Sequence, residues 1–241
     1  MSKIIPYKES EKSKKEQVSL MFDNISPRYD QLNRLMTFGI DIGWRKKSLS
    51  FLKDQQLNRL LDVATGTGDF AILASKIVKP KEIIGIDISN GMLDIGKRKI
   101  LTQKIPHIRL ESGDSENIVY PDSYFDAVTV AYGVRNFENL EKGLKEINRV
   151  MKQGAKLVIL EATSPENKFI KFFYDLYFGK FVPWIGKLVS KDKAAYSYLP
   201  ESVNNFPQGM QFINKLNEAG FKNTKLVPLL FGASTIYIAT K

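Results

Sequence analysis

A glycine turn between an apolar strand and a helix carries the residues of this chain best suited to binding a cofactor. Residues 60–63 are mostly apolar, residues 66–68 read Gly-Thr-Gly, and a helical pattern begins at Asp69. Glycines in such a turn let the backbone bend tightly and let a ligand approach it closely. Asp87 ends the next apolar run, about twenty residues on, where a carboxylate accepts hydrogen bonds from a ribose diol. The pattern predicts an adenosine-containing cofactor.

The surroundings of the turn indicate which cofactor it binds. Residues 66–71 fit the dinucleotide fingerprint G-x-G-x-x-G/A, so NAD is a candidate beside S-adenosylmethionine. Asp62 and Asp114 supply carboxylates where the methionine end and the adenine amino group of S-adenosylmethionine can meet them. The β-rich segments 223–229 and 234–240 form a closing hairpin, unlike the second half of a dinucleotide fold. These features favour S-adenosylmethionine.

Strands and helices that alternate along the chain must position these residues. The predicted strands cover residues 59–64, 82–87, 108–111, 125–131 and 155–161, and the predicted helices cover residues 69–78, 90–101, 140–151 and 208–219. With the closing hairpin, this order predicts an α/β, Rossmann-like fold. We expect a seven-stranded, mostly parallel sheet with an antiparallel C-terminal hairpin and helices on both faces. Ligands bind such sheets at the carboxyl ends of the strands, where Thr67, Asp87 and Asp114 fall.

The chain divides into a charged N-terminal tail, residues 1–16, and a single domain, residues 17–241. Residues 17–54 carry aromatic side chains at helical spacing and predict a helical lid, which the Ser26-Pro27 step must break or cap. Residues 163–207 form an aromatic and basic insert before the last helix.

The composition bounds the chemistry and the location of the protein. The chain has no cysteine and one histidine, so we expect no metal site. Its start lacks the pattern of a signal peptide, and no apolar run is long enough to span a bilayer, so we expect a cytoplasmic protein. The formal charge of +10 suits solubility, or attraction to an anionic membrane or nucleic acid.

Several segments together resemble the menaquinone/ubiquinone biosynthesis C-methyltransferases, which belong to the class I S-adenosylmethionine-dependent superfamily. They are residues 21–30 with Asn33, 61–69, 85–93, 133–136 (Gly-Val-Arg-Asn), 149–161 and 196–202 (Tyr-Ser-Tyr-Leu-Pro-Glu-Ser). The resemblance spans about residues 17–240. It implies C-methylation of a prenylated quinol, demethylmenaquinol first, with the ubiquinone-pathway benzoquinol or another small molecule as the alternative.

The resemblance also assigns positions to the cofactor. Thr67, Asp87, Asp114 and Ser115 match the family's cofactor-contacting residues, and close backbone approach rests on Gly66 with Gly68. The chain departs from the pattern elsewhere. Ala64 stands where the superfamily often has a first glycine, Ala131 replaces a serine of some relatives, and Gln153-Gly154-Ala155 replaces the usual Pro-Gly-Gly turn.

Methylation at carbon requires an electron-rich acceptor ring, so the protein should offer a base or a cation that stabilises a phenolate. Arg135 is the first candidate for that cation, and its alternative is a structural arginine that bridges the loop to a helix end. Tyr29 is a second catalytic candidate, which packs on the acceptor or relays a proton through water. Its alternative is an aromatic residue that packs helices. Asp126 is interpreted as the cap at the start of a strand, and Glu161 as an anchor for the loop after the fifth strand.

The insert suggests a membrane partner. An apolar stripe at helical spacing is flanked by lysines, as on helices that lie at a lipid interface; its members are Ile170, Phe173, Tyr174, Tyr177 and Phe181. We expect peripheral association with the inner face of the membrane. The alternative is a lid helix that packs the stripe on the core or on the second copy in a homodimer.

Three other functions stay open at this point. An RNA methyltransferase would suit the charge, but no RNA-binding module is visible and the basic residues are dispersed, so we expect no nucleic-acid partner. An NAD-dependent oxidoreductase is disfavoured by the closing hairpin and by Asp114. A cofactor-binding partner subunit without catalysis is disfavoured by the intact motifs.

Overall fold

A computed structural model describes residues 4–182 and 193–241 and shows one seven-stranded sheet. The strands are β1 (Arg59–Val63), β2 (Glu82–Asp87), β3 (Ile108–Ser112), β4 (Phe125–Ala131), β5 (Met151–Ala162), β6 (Lys222–Leu229) and β7 (Ser234–Thr240). Their order is β3-β2-β1-β4-β5-β7-β6. Strands β1 to β5 run parallel, and β7 pairs antiparallel with both β5 and β6. The predicted sheet and its closing hairpin are confirmed.

Helices surround this sheet in the described parts of the chain. They are α1 (Lys14–Ile25), α2 (Tyr29–Thr37), α3 (Ile40–Ser50), α4 (Asp69–Ile77), α5 (Asn90–Gln103), α6 (Leu140–Val150), α7 (Lys168–Leu176), α8 (Lys193–Asn205) and α9 (Met210–Glu218). Successive residues of β1 point to opposite faces of the sheet. Leu60 packs in an apolar cluster with α3 and α4, and Leu61 packs in another cluster with α6 and α9. Helices therefore cover both faces. No helix among the described residues is long and apolar enough to cross a membrane.

The helices α1 to α3 precede the sheet, and their boundaries follow from local sequence. Ser13 caps α1, because its hydroxyl accepts from the Glu16 amide while the Glu16 carboxylate accepts from the Ser13 amide. The helix thus begins inside the segment assigned to the charged tail. Ser26–Arg28 form a 3₁₀ turn, so the predicted break at the Ser26-Pro27 step is confirmed.

Strand β5 differs from its prediction. It begins at Met151, four residues before the predicted start at 155, and α6 ends at Val150. Gly154 has a φ of +78°, and the pairing register with β4 shifts between Phe125 and Ala127. Residues 153–155 therefore form an irregularity within a strand and not the turn expected there, because glycine accepts the left-handed backbone that this requires.

The strand order reverses between β1 and β4, and the loops after both strands meet there. A Cβ atom added at Gly133 would lie 2.5 Å from the Cβ atom of Ala64. Only glycine permits this approach, which explains the first residue of the Gly-Val-Arg-Asn segment. Such a reversal is where open α/β sheets bind ligands.

Residues 183–192 of the predicted insert lie outside the described residues.

Candidate active site

The glycine turn is tied to the sheet by a buried carboxylate. Gly66 and Gly68 have φ values of +57° and +76°, which side-chain-bearing residues rarely adopt. Both oxygens of Asp62 accept hydroxyl donors, from Thr65 at 2.6 Å and from Thr129 at 2.7 Å. Burial raises the pKa of Asp62 to about 6. Asp62 therefore joins the turn to β4, and its side chain also lines a polar niche beside the turn.

Asp87 joins the end of β2 to the same turn. One carboxylate oxygen accepts the Gly66 amide at 2.8 Å, and the other accepts the Ser89 amide at 2.9 Å. A carboxylate has about four acceptor positions, so capacity for a ribose diol remains. Burial raises the pKa of Asp87 to about 6, although its backbone hydrogen bonds oppose that shift.

A cleft runs along the ends of β1, β2 and β3, and we call it the cofactor cleft. Gly66, Asp87, Asp114 and Ser115 line it, together with apolar side chains from Ile88, Met92 and Phe137. Carboxylate acceptors separated by apolar walls suit an adenosine, whose ribose and adenine amino group donate and whose ring faces are apolar. The residues present therefore fit the expected cofactor.

Thr67, the remaining predicted cofactor residue, lies outside this cleft. It is buried in the polar niche, and its hydroxyl donates to Asp30 of α2 at 2.7 Å. The side chain therefore faces α2 and not the cleft.

The helices α1 and α2, which precede the sheet, contact each of the cofactor loops. Lys15 Nζ lies 2.6 Å from Asp114 Oδ2. Asp23 Oδ1 accepts from the Ser89 hydroxyl at 2.6 Å and from the Gly91 amide at 2.8 Å. Sequence reasoning gave neither Lys15 nor Asp23 a role. Asp23 lies in segment 21–30, which resembles the family, so the sequence offered a signal for it. Lys15 is one of several lysines in residues 1–16, and nothing in the sequence distinguishes it from the others.

A second, larger cavity of about 580 Å³ lies beside the cofactor cleft, and we call it the acceptor cavity. Its walls are mainly apolar and come from the lid, from α7 and α8, and from the loop before β7; they include Met21, Leu32, Trp44, Ile170, Phe173, Leu199 and Phe231. Phe22, Tyr29, Tyr132 and Asn136 line both spaces. The two spaces therefore adjoin across a shared wall.

Arg135 contributes a buried cation to the acceptor cavity. Its Nη1 atom lies 2.5 Å from Glu161 Oε1 and donates to the Tyr132 carbonyl at 2.6 Å, while its Nε has no partner among the described residues. Burial alone would lower the pKa of Arg135, but the charge and hydrogen bond of Glu161 together with the nearby Tyr29 and Tyr198 outweigh it, and the pKa is raised. The structural alternative expected a bridge from the loop to a helix end, but Arg135 bridges the loop to the end of β5, and it also lines the cavity.

Tyr29 stands where the spaces meet. It lines the cofactor cleft, the acceptor cavity and the polar niche. Burial raises its pKa above the ordinary tyrosine value, so the hydroxyl stays protonated at neutral pH. Its ring packs edge-on against Phe22, with ring centroids 6.0 Å apart. Tyr29 therefore packs between helices and also contacts the cavity, so its geometry is compatible with both interpretations.

The apolar stripe of the insert faces inward for much of its length. Ile170, Phe173, Tyr174 and Tyr177 line the acceptor cavity. The outer face of α7 is apolar as well, since Phe169 and Phe172 are 72% and 64% exposed. Asp126 caps β1, because its carboxylate accepts the amides of Asn58 and Arg59.

This sheet order, with a glycine turn after β1 and acidic residues after β2 and β3, is the class I fold of S-adenosylmethionine-dependent methyltransferases. A S-adenosylmethionine-dependent methyltransferase of Thermotoga maritima superposes with a TM-score of 0.65 at 19% identity, covering 92% of this chain and 99% of that one. At that identity the likeness concerns the fold alone. Among the described residues, no cluster of His, Asp and Glu is arranged to hold a metal ion.

The sequence identifies the family within that class. The model of the ubiE/COQ5 methyltransferase family matches residues 10–241, and the chain belongs to this family. A demethylmenaquinone methyltransferase of Bacteroides fragilis is 47% identical over 99% of this chain and 98% of its own length. A ubiquinone/menaquinone biosynthesis C-methyltransferase, UbiE, of Geotalea daltonii is 42% identical over 95% of this chain and 97% of its own length.

Proposed function

We propose that this chain methylates a ring carbon of a prenylated quinol, demethylmenaquinol, in menaquinone biosynthesis, with S-adenosylmethionine as the methyl donor. The names of the Bacteroides and Geotalea relatives support this assignment. The observation that carries it is the large apolar cavity that adjoins the cofactor cleft at Tyr29 and holds the buried cation of Arg135.

The cofactor residues divide the work of binding. Asp87 accepts from the ribose, Asp114 and Ser115 meet the adenine, and Gly66 allows close approach of the backbone. When bound, S-adenosylmethionine supplies a methyl group on a positively charged sulfur, already activated for displacement. The protein's contribution is alignment of the acceptor carbon with that methyl group, and positioning of this kind supplies a large part of a catalytic barrier.

Arg135 activates the acceptor. A buried guanidinium beside a ring hydroxyl favours the ionised form of that hydroxyl, and the phenolate then raises electron density at the neighbouring ring carbon. Glu161 keeps the guanidinium oriented toward the cavity through its ion pair. Tyr29, which stays protonated between the two spaces, packs on the acceptor ring and passes the proton that the ring hydroxyl loses through water to the solvent.

A membrane surface is the proposed source of the prenylated substrate. Phe38 and Phe231 line the acceptor cavity and are 70% and 74% exposed. Both residues have a positive φ, 50° and 54°, so the fold holds large apolar side chains outward on strained backbone. We propose a cytoplasmic protein that docks these side chains at the inner face of the membrane, so that a prenyl tail enters the cavity from the bilayer.

Docking is tested by sedimentation with anionic vesicles at low salt. The wild-type chain is expected to co-sediment, and a Phe38→Ser/Phe231→Ser variant to stay in the supernatant. Size-exclusion chromatography without lipid separates the alternative, because a homodimer that buries the exposed face of α7 would elute at twice the monomer mass. Wild-type protein that never co-sediments contradicts the docking proposal.

The reaction itself is tested by methyl transfer from labelled S-adenosylmethionine to chemically reduced demethylmenaquinol in detergent. A demethylated benzoquinol and a reaction without quinol run beside it. Label on the naphthoquinol is the expected result, and label on both quinols would make the enzyme a dual-pathway one. Label on neither, with cofactor still bound, contradicts the quinone assignment.

A further inference from the structure

One tyrosine in the wall of the acceptor cavity has a buried hydroxyl that the fold leaves without a partner. Tyr174 lies on α7 and lines the cavity, and its hydroxyl is buried without a hydrogen-bond partner among the described residues. An unsatisfied buried hydroxyl is destabilising, and each such group in a native fold calls for an explanation. A ligand atom in the cavity supplies one.

Two other tyrosines around the cavity have hydrogen-bond partners for their hydroxyls. The hydroxyl of Tyr177 donates to the Met36 carbonyl at 2.6 Å, and that of Tyr198 donates to Asn136 Oδ1 at 3.2 Å. The Tyr132 hydroxyl, like that of Tyr174, is buried without a hydrogen-bond partner among the described residues, and burial raises its pKa although Ser234 opposes that shift. Tyr174 differs from Tyr132 in the charge that acts on its hydroxyl, which comes from Arg135, whereas the charge that acts on Tyr132 comes from Arg45.

The Tyr174 ring is also held in one orientation. It stacks on Phe178 with ring centroids 4.3 Å apart and planes inclined by 28°. Burial raises the pKa of its hydroxyl above the ordinary value, although the charge of Arg135 opposes that shift. The hydroxyl therefore remains a hydrogen-bond donor at neutral pH, and it lies within the electrostatic reach of the guanidinium.

A quinol ring carries a pair of oxygens in para positions, and they have different roles in C-methylation. The oxygen beside the reacting carbon must become the phenolate, and Arg135 is placed to stabilise it. The other oxygen stays neutral and needs only to be held. We propose that Tyr174 donates a hydrogen bond to this second oxygen and so fixes which ring carbon faces the methyl donor; this rests on the proposed quinol substrate.

The test compares Tyr174→Phe with Tyr177→Phe on neighbouring turns of the same segment. Loss of an unsatisfied hydroxyl should leave the melting temperature of Tyr174→Phe unchanged or raise it, whereas Tyr177→Phe loses its bond to Met36 and should melt about 2–4 °C lower. With reduced demethylmenaquinol, Tyr174→Phe should lose about three- to tenfold in kcat/KM. Its Kd for S-adenosylmethionine should not change.

A substrate analogue makes the assignment specific. The 3-prenyl-1-naphthol keeps the hydroxyl beside the reacting carbon and lacks the second one, so the wild-type chain and Tyr174→Phe should use it with equal kcat/KM. An equal loss on both substrates, or a lowered melting temperature of Tyr174→Phe, overturns the inference. A wild-type chain that methylates no quinol contradicts the proposed function itself. If the wild-type chain methylates the quinol but Tyr174→Phe loses equally on the quinol and on the naphthol, only the role of Tyr174 is contradicted.

Discussion

The cofactor cleft and the acceptor cavity are adjacent, yet they are built in opposite ways. The cleft is formed by loops that follow the strands β1, β2 and β3, and its polar residues bond to backbone amides of these loops, as Asp87 does to Gly66 and Ser89. The cavity is formed by apolar side chains from α2, α3, α7 and α8 and the loop before β7, distant in sequence. Short motifs therefore specify the cleft, whereas tertiary packing specifies the cavity.

The largest effect should come from Arg135, which belongs to the cavity. Arg135→Met leaves Glu161 buried without its partner, so we expect a loss of about 3–5 kcal/mol in the free energy of unfolding. In Arg135→Met/Glu161→Leu most of that stability should return, because no buried charge remains unpaired. The rate of methyl transfer by the double variant should stay at least about 100-fold below that of the wild type, since stabilisation of the phenolate is a charge effect worth several kcal/mol.

Chemical denaturation and the labelled-methyl assay measure these two properties independently. Recovery of activity together with stability in the double variant would mean that Arg135 is only a structural bridge.

The second effect concerns the cleft and its dependence on pH. The pKa of Asp87 is raised to about 6, so its carboxylate gains a proton as the pH falls through that value. A ribose diol donates to the ionised form, and the affinity for S-adenosylmethionine should therefore fall from pH 7 to pH 5, approaching tenfold per unit below pH 6. Asp87→Asn should bind more weakly and lose most of this slope. Calorimetric titration with S-adenosylmethionine between pH 7 and pH 5 measures this dependence, and Asp94→Asn, which changes an exposed aspartate, is the matched control. If the affinity of Asp87→Asn falls with pH as steeply as that of the wild type, Asp87 is not the ribose acceptor.

The raised pKa also has a consequence for stability. Because the folded chain holds a proton on Asp87 more tightly than the unfolded chain does, ionisation of Asp87 opposes folding. Its contribution should favour the folded state as the pH falls from above 6 toward 4, the reverse of a paired aspartate. Denaturation of Asp87→Asn should lack this increment, and an unchanged pH profile would contradict it.

A smaller effect should come from the lid, which joins the two regions. Asp23→Ala removes the acceptor of the Ser89 hydroxyl and the Gly91 amide, so we expect a loss of about 1–2 kcal/mol in unfolding free energy. Affinity for S-adenosylmethionine should weaken as well, because the lid closes the cleft. Asp23→Asn keeps one acceptor oxygen, so it should recover part of the stability and part of the affinity for S-adenosylmethionine. Wild-type stability in Asp23→Ala would show that the lid is held elsewhere.

The smallest effect is expected at Lys15. Its ion pair with Asp114 is partly exposed, and such pairs contribute about 0.2–1 kcal/mol. Lys15→Met should therefore change the Kd for S-adenosylmethionine less than about fivefold, with the difference shrinking at high salt. A larger change that persists in salt would make Lys15 a main cofactor contact.

The same contrast decides what could be read from the sequence. Gly66, Asp87, Asp114 and Ser115 sit at strand ends that hydrophobic patterning locates, so the cleft follows from the chain directly. Thr67 was predicted beside them, but its orientation toward Asp30 depends on the lid. The bulge at Gly154 was missed because glycine suits a turn and an irregular strand equally.

The cavity was less predictable. The stripe with Tyr174 and Tyr177 was recognised as one face of a helix, but periodicity does not say whether that face meets lipid, core or a cavity. Only the tertiary structure shows that Arg135 and Tyr29 face the same space as that stripe. The roles of Lys15 and Asp23 likewise arise from contacts between distant segments.

In the proposed reaction the acceptor occupies the cavity while the cofactor occupies the cleft. Ala162 lines the cavity at the end of β5 and does not line the cleft. Methyl transfer to demethylmenaquinol by Ala162→Phe, measured beside its Kd for S-adenosylmethionine, tests the claim most directly. We expect an unchanged cofactor Kd with transfer largely lost, because the added ring fills the acceptor's space. Wild-type transfer by a folded Ala162→Phe would contradict it.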